Sequence, residues 1–263
     1  PKGAPIAFFR LPATDDALGK AAADVATAPT SSHGLNARAV FVVDDGTASG
    51  AAQVAAFGQE LKAKGGNVAG HATLTPGAQD NTQVTVSAIV DAYPDLVFYA
   101  GGVAAGAELR STLSLTGAPQ LPLLTVGPAA ADPDWSKTVG LAAASAYTTA
   151  ILPAPDLTTL PDATATKTFA MAYQTAYNVG PTSLSALAYD AAMDEIAAIK
   201  SVIAAGKTPT RATVRAAVAA TKYTGLTGAI AFDQNGDNTA PPGFALYSCD
   251  IKGNWSFQTS VKA

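Results

Sequence analysis

The sequence predicts an α/β protein whose main part is a doubly wound parallel-sheet lobe. Three observations lead there. Short apolar runs alternate with longer helical stretches over residues 1–152. The strand candidates are continuously apolar rather than alternating, as strands covered on both faces are. Apolar residues make up 48% of the 263 residues and charged ones only 14%, against about 25% in typical soluble domains, so the chain can bury a sizeable core.

The elements follow in order. Ala4–Leu11 reads as a short strand. Thr14 offers an N-cap for a helix over Asp15–Ala28, with Asp15 and Asp16 in its first turn as the helix dipole prefers. Ala37–Val43 is a buried-type strand ended by Asp44-Asp45-Gly46, and a helix from Thr47 to Lys64 stops at Gly65-Gly66. Strand Val68–Leu74, helix Asp80–Ala92 and strand Asp95–Tyr99 come next, with Pro94 breaking the chain between the last two. Helix Ala104–Leu115 follows Gly101-Gly102, Gly117 ends it, and strands Pro122–Val126 and Ala144–Ile151 complete the alternation. Right-handed crossovers are expected between the parallel strands.

The pattern then changes. Pro153, Pro155 and Pro161 punctuate a Thr-rich linker, and helices Thr164–Tyr177, Leu184–Ala205 and Thr210–Thr221 follow with no strand between them. The second carries an apolar stripe through Leu184, Leu187, Ala191, Ile196, Ile199 and Ile203. Ala229–Phe232 is a short strand, Asn235-Gly236 a hairpin-type turn, and Phe244–Cys249 with Trp255–Thr259 a final strand pair around Lys252-Gly253-Asn254. The chain therefore divides into an α/β lobe over 1–152, a linker with helices over 153–225, and terminal strands over 226–263 that return to the lobe.

Sixteen Lys and Arg against 20 Asp and Glu give a net charge of −4, which offers no basic face for nucleic acid over the chain as a whole. Disorder needs low hydrophobicity and high net charge, which this chain lacks. The sequence contains no apolar run long enough for a membrane span. The single Cys249 cannot form an internal disulfide or a multi-cysteine zinc site. The chain opens on Pro1-Lys2-Gly3 with no apolar leader, so no signal peptide is visible.

Few residues suit catalysis. Asp44-Asp45 ends a strand, where α/β folds place ligand sites. A receiver-type phosphoacceptor domain also begins so, but it needs an Asp after the third strand and a Lys after the fifth, and neither is present. Gly46-Thr47-Ala48-Ser49-Gly50 opens a helix whose amides suit an anion, yet no Lys follows as in a P-loop; a tight strand-to-helix turn is the plain alternative. Asp233-Gln234-Asn235-Gly236-Asp237-Asn238 resembles a calcium loop only faintly, since Asn238 and Phe244 stand where Gly and Glu are required; a hairpin turn fits better. His33 and His71 have no nucleophile or metal-ligand spacing, and no G-x-S-x-G elbow exists. Trp135 and Trp255 read as core or rim residues. An enzyme is therefore not expected, and neither a cofactor nor a metal is.

Several stretches together resemble one family. They are Phe8-Phe9-Arg10-Leu11-Pro12-Ala13-Thr14-Asp15-Asp16, Val42-Val43-Asp44-Asp45-Gly46-Thr47 and Ala92-Tyr93-Pro94-Asp95-Leu96-Val97-Phe98. Ala188-Tyr189-Asp190-Ala191, Tyr223-Thr224-Gly225-Leu226-Thr227-Gly228 and Phe232-Asp233-Gln234-Asn235-Gly236-Asp237 follow. Their order resembles type I periplasmic solute-binding proteins of the branched-chain amino acid ABC-transporter class. The resemblance implies two α/β lobes joined by a hinge, closing on a small ligand without catalysis. It also implies a membrane permease as partner and a periplasmic or extracellular, secreted or lipid-anchored location. A ligand-sensing receptor ectodomain or interaction module on the same fold is the alternative.

Two departures shape the expectation. Family members carry a longer N-terminal part that supplies the first lobe's sheet, so the helices over 164–221 are expected to represent an incomplete lobe, covered by a second polypeptide. The ligand positions implied by the resemblance are also altered. Ser49 stands where a Tyr is usual, Val103 and Ala104 follow the Gly-Gly pair in place of tyrosines, and Ala129 follows Pro128 where an acid pairs with the ligand ammonium. Asp132 or Asp134 would have to move in to replace that acid. The expected ligand face is Thr47, Ser49, Val103, Ala104, Pro128 and Ala129, and the expected ligand is a neutral or weakly polar small molecule rather than a free branched-chain amino acid.

Overall fold

A computed structural model of the protein describes residues 7–74, 79–116, 118–132, 135–140 and 147–263. They form eight α-helices and nine strands and divide into two compact units. An α/β unit takes Asp15–Pro153 and Phe244–Lys262; a helical unit takes the chain up to Thr14 and Ala154–Gly243.

The α/β unit contains β1 (Ala39–Asp44), β2 (Asn67–Thr73), β3 (Leu96–Ala100), β4 (Leu123–Val126), β5 (Thr148–Leu152), β8 (Phe244–Cys249) and β9 (Trp255–Val261) in one sheet of order β2-β1-β3-β4-β5-β8-β9. The first five are parallel, as the continuous apolar runs of β1, β3 and β4 predict. The hairpin β8–β9 joins antiparallel at β5, with Ala150 opposite Tyr247. The chain steps from β1 to β2 in one direction and from β2 back past β1 to β3 in the other. That reversal between β1 and β3 is the topological switch point of a doubly wound sheet.

Helices α1 (Asp15–Thr27), α2 (Ala48–Ala63), α3 (Gln79–Ala92), α4 (Val103–Leu115) and α5 (Trp135–Val139) cover the sheet. Alternation along β3 sends neighbouring rings to opposite faces. Phe98 stacks on Phe57 of α2 at 4.0 Å, while Tyr99 packs with Ile89 of α3, Leu109 and Leu113 of α4 and Trp135 of α5. Arg110 is fully buried within this second layer. Its guanidinium donates to the carbonyls of Leu121 (2.6 Å), Pro119 and Ala118 and to the Ser114 hydroxyl, tying the end of α4 to the turn before β4. Burial lowers its pKa to about 10.

The helical unit contains α6 (Ala163–Tyr177), α7 (Ser183–Ala204) and α8 (Arg211–Ala219), with a two-stranded ladder of β6 (Tyr223–Gly225) and β7 (Gly228–Ile230). Each helix has a local start signal. The Asp162 carboxylate accepts the amides of Thr164 and Ala165, and Thr182–Ser185 and Thr210–Thr213 form capping boxes. Leu160, Ala186 and Leu226 form a small core, with Phe169 against it. The Asp190 carboxylate, wholly buried, accepts the amides of Leu226 (2.8 Å) and Thr227 (2.7 Å) and the Thr227 hydroxyl. A side chain at Gly225 would run into that carboxylate. Two of the stretches behind the resemblance thus meet in one contact. Two more do the same: Arg10 pairs with Asp237 (2.8 Å) and exchanges backbone hydrogen bonds with Gly236 and Asn238.

Some expectations need correction. The strand over 4–11 does not form in its described part; Arg10 alone makes an isolated bridge to Asp237, because the segment meets a turn rather than a strand. Residues 4–6, Gly117, Asp134 and 144–146 lie outside the described residues. β6 and α5 were not foreseen: β6 is only three residues long and contains a Gly, and α5 is a single turn beside the proline-containing stretch. Residues 226–243 stay with the helical unit, since Asp190 and Arg10 hold them there, and the chain rejoins the sheet only at Phe244. The loop at Asp233 is an Asx turn whose carboxylate accepts the amides of Asn235 and Asp237. Among the described residues no group of three or more His, Cys, Asp or Glu is placed to hold a metal.

Candidate functional site

The carboxyl ends of β1, β3 and β4 lie side by side: Asp44 pairs with Ala100, and Ala100 with Val126. The loops leaving these strands therefore form one continuous edge at the switch point. Thr47 and Ser49 follow β1, Val103 and Ala104 follow β3, and Pro128 and Ala129 follow β4. All six expected positions come onto this edge of the α/β unit.

The first loop is held by its two acids. Asp44 is almost wholly buried; one oxygen accepts the Gly46 amide (2.7 Å) and the other meets His71 Nε2 at 2.6 Å. Asp45 reaches sideways. One oxygen accepts the Thr47 hydroxyl (2.6 Å) and amide (3.1 Å), and the other accepts the Gly102 amide (3.1 Å). Partial burial pushes the Asp45 carboxyl up, but the Thr47 and Gly102 donors outweigh it and hold it below its ordinary value. Thr47 in turn caps α2, its hydroxyl accepting the Gly50 amide at 3.0 Å. Gly50 is required by space: a Cβ there would sit 2.7 Å from both the Ala100 carbonyl and Asp45 Oδ1. Behind this loop Tyr99 is inaccessible and donates its hydroxyl to the Gly102 carbonyl (2.9 Å). Burial, then the charges of Asp45 and Asp44, raise its phenol well above the ordinary range.

The candidate side chains differ in availability. Thr47 is exposed, with its hydroxyl engaged by Asp45 and Gly50. The Ser49 hydroxyl donates to Asp15 Oδ1 (2.8 Å) and accepts from Gln53 Nε2 (3.1 Å), and Gln53 also donates to Asp15 (2.7 Å). Val103 is half-buried and Ala104 exposed at the start of α4, whose N-cap Gly102 offers no side-chain cap. Pro128 is exposed, whereas the Ala129 methyl is 2% exposed and packs in the core with Trp135. Sequence reasoning missed Asp15, Gln53 and Tyr99 here. Asp15 was visible only as a helix-starting acid; its approach to Ser49 depends on how α1 and α2 pack.

Two large grooves lie in the helical unit and touch none of the six candidates. One, of about 900 Å³, runs between α6 and α7 and is lined by Phe169, Tyr173, Tyr177, Leu184 and Tyr189. The other, of about 750 Å³, lies beside α7 and α8. They are flanks of helices left open among the described residues, so size alone does not make them the site. The strand-end edge has the loops, the helix starts and the switch point that ligand sites in such sheets use.

A profile of the family described as periplasmic binding protein matches residues 6–254. The chain is similar to the leucine binding protein LivK from Thermotoga maritima, at 23% identity and a TM-score of 0.80 over 97% of this chain and 67% of that one. It is similar to the solute binding protein of an ABC transporter from R. palustris in complex with benzoate, at 18% identity and a TM-score of 0.73 over 96% and 64% of the two chains. LivJ from Streptococcus pneumoniae in complex with isoleucine matches at 17% identity and a TM-score of 0.73 over 95% and 65%. At these identities the likeness shows the fold. The chain spans about two thirds of the length of these solved structures. No curated protein matches it.

Proposed function

This chain belongs to the periplasmic binding protein family, and we propose that it acts as the solute-capturing component of an ABC transporter. The strand-end edge of the α/β unit, with Thr47, Ser49, Val103, Ala104 and Pro128, is the ligand face in this reading; Ala129, expected there too, follows β4 at the same edge but turns its methyl into the core. The partners are a small solute and a membrane permease, the location is periplasmic or extracellular, and no chemistry is performed on the solute. Among the described residues no helix is long and apolar enough to cross a membrane.

The observation that carries the ligand class is how the carboxylates at this edge are engaged. Asp45 accepts from the Thr47 and Gly102 donors, and Asp15 from Ser49 and Gln53. Ala129 brings no charge to this edge, its methyl being buried in the core. The neutral donors leave the carboxylates charged but commit their oxygens to the loops, so an ammonium brought here gives up hydration without a carboxylate placed to receive it. The reading is therefore a neutral or weakly polar solute. Thermal-shift screening of small neutral solutes, followed by calorimetry on the hits, tests it. Leucine, isoleucine and valine should give no binding heat; micromolar affinity for any of the three would overturn the ligand class.

A further inference from the structure

Two acids, Asp44 and Asp45, stand side by side where the first loop of the strand-end edge leaves β1. Tyr99 behind them is raised by burial and then by both of their charges. Among the described residues the ion pairs give these acids one basic partner, His71. It stands on β2, the outermost strand, opposite Val42 of β1. Its Nε2 meets Asp44 Oδ2 at 2.6 Å, the ring 53% exposed and the carboxylate 5%. A carboxylate only accepts, so Nε2 carries the proton and donates it. The Thr73 hydroxyl comes no closer to the same oxygen than 3.4 Å.

Strand pairing does not need this contact. The β1–β2 register already runs to Asp44 opposite Thr73, and the Leu74 amide donates to the Asp44 carbonyl (2.7 Å). The side-chain contact serves the turn instead. Asp44 Oδ1 accepts the Gly46 amide (2.7 Å), an Asx turn in which Gly46 takes φ 76°. β2 also supports the turn sterically, since a Cβ on Gly46 would lie 3.3 Å from Thr73 Cγ2. From this turn Asp45 reaches the Thr47 amide and hydroxyl and, on the far side of the switch point, the Gly102 amide at the start of α4. One chain of contacts therefore runs from His71 on the edge strand through Asp44, Gly46 and Asp45 to Gly102.

We propose that His71 is a positioning residue of the strand-end edge: its Nε2–H fixes the Asp44 carboxylate that shapes the β1–α2 turn, and through Asp45 it sets the start of α4. A buried carboxylate oxygen deprived of its donor is costly, so without His71 the turn gives way before the strands do. What the position needs is an N–H at the place of Nε2, which a glutamine amide can supply and a leucine cannot. That these loops receive the solute rests on the function proposed above; the hold of His71 on them does not.

Nuclear magnetic resonance of the full chain without solute tests it, on the unmodified protein, His71→Leu and His71→Gln. The neutral His71 ring of the unmodified protein should be the Nε2–H tautomer. His71→Leu should speed solvent exchange of the Gly46 amide on the order of tenfold. It should also move the Gly102 amide resonance and leave Gly127, whose amide donates to the Ile151 carbonyl after β4, where it was. His71→Gln should return Gly46 exchange to within about twofold of the original, with Gly102 restored. Slow exchange across β3 and β4 in both variants shows that the sheet is intact. Gly46 and Gly102 unchanged in His71→Leu, no rescue by His71→Gln, or an Nδ1–H tautomer would each overturn the proposal. Binding of leucine would overturn the ligand class and leave this assignment standing.

Discussion

In the α/β unit the central strands β1, β3, β4 and β5 are buried nearly throughout, and Phe98, Tyr99, Leu109 and Trp135 are inaccessible. In the helical unit α6 has no buried residue at all, and Met171 and Tyr177 are exposed by 61% and 65%. The helices of the second unit do not lack start signals, since all three carry side-chain caps or capping boxes. What differs is the partner surface: one unit has a sheet on which apolar faces close, and among the described residues the other has a two-stranded ladder. The carboxylates follow the same division. Asp45 of the α/β unit collects three donors and is held below its ordinary value. Asp194 of the helical unit is 2% exposed; burial pushes it up, and the Thr221 hydroxyl only partly offsets that. Capping fixes where a helix begins; burial needs a second layer.

That contrast can be broken most sharply at Asp190, where the helical unit is tightly fastened. Asp190→Ala should destabilise it by about 3 kcal/mol, because buried amides of Leu226 and Thr227 lose their acceptor. Both tryptophans, Trp135 and Trp255, lie in the α/β unit, so tryptophan fluorescence follows that unit alone. Denaturant unfolding should therefore show the loss in far-ultraviolet circular dichroism and not in fluorescence. Gly50→Val probes the other side. Its side chain would meet the Ala100 carbonyl and Asp45, and the fluorescence-detected transition should fall by about 2 kcal/mol.

The two carboxylates sharpen the comparison through pH. Asp45 has a lowered pKa in the folded state, so its contribution is present above its ordinary value of 3.8 and is lost as pH falls through the lowered one. Asp45→Asn should destabilise at neutral pH, by about 1 kcal/mol given its partial exposure, and should cease to matter in acid. Asp194 has a raised pKa, so its protonated form favours folding and its ionisation opposes it as pH rises through the raised value. Asp194→Asn should therefore stabilise at neutral pH and be neutral below 3.8. Thermal unfolding from pH 3 to 8 checks both, and a shared sign would refute the contrast. The smallest effect belongs to Tyr177→Ser on α6, within about 0.5 kcal/mol for an exposed position. A loss of several times that would mean the face is covered in solution.

Much of the α/β unit was legible in the sequence. Runs such as Phe41-Val42-Val43 and Leu96-Val97-Phe98 can only be buried strands, and Gly65, Pro94 and Gly101 mark where helices stop or strands turn. The three strand-end loops were legible too, because α/β sheets place their ligand edge there. Long-range contacts were not. Nothing in the spacing says that Asp190 meets residues 226–227 or that Asp15 occupies the Ser49 hydroxyl, since both depend on packing between segments distant in sequence. Ala129 illustrates the limit at the site: its place after β4 was readable, but the turn that points its methyl into the core was not.

The most direct test is amide hydrogen exchange on the full chain, followed by mass spectrometry. Slow exchange across β1, β3 and β4, with α6 exchanging orders of magnitude faster, is the expected pattern. Protection of α6 equal to that of the central strands would contradict the account, because it would show that the helical unit has a covering layer of its own.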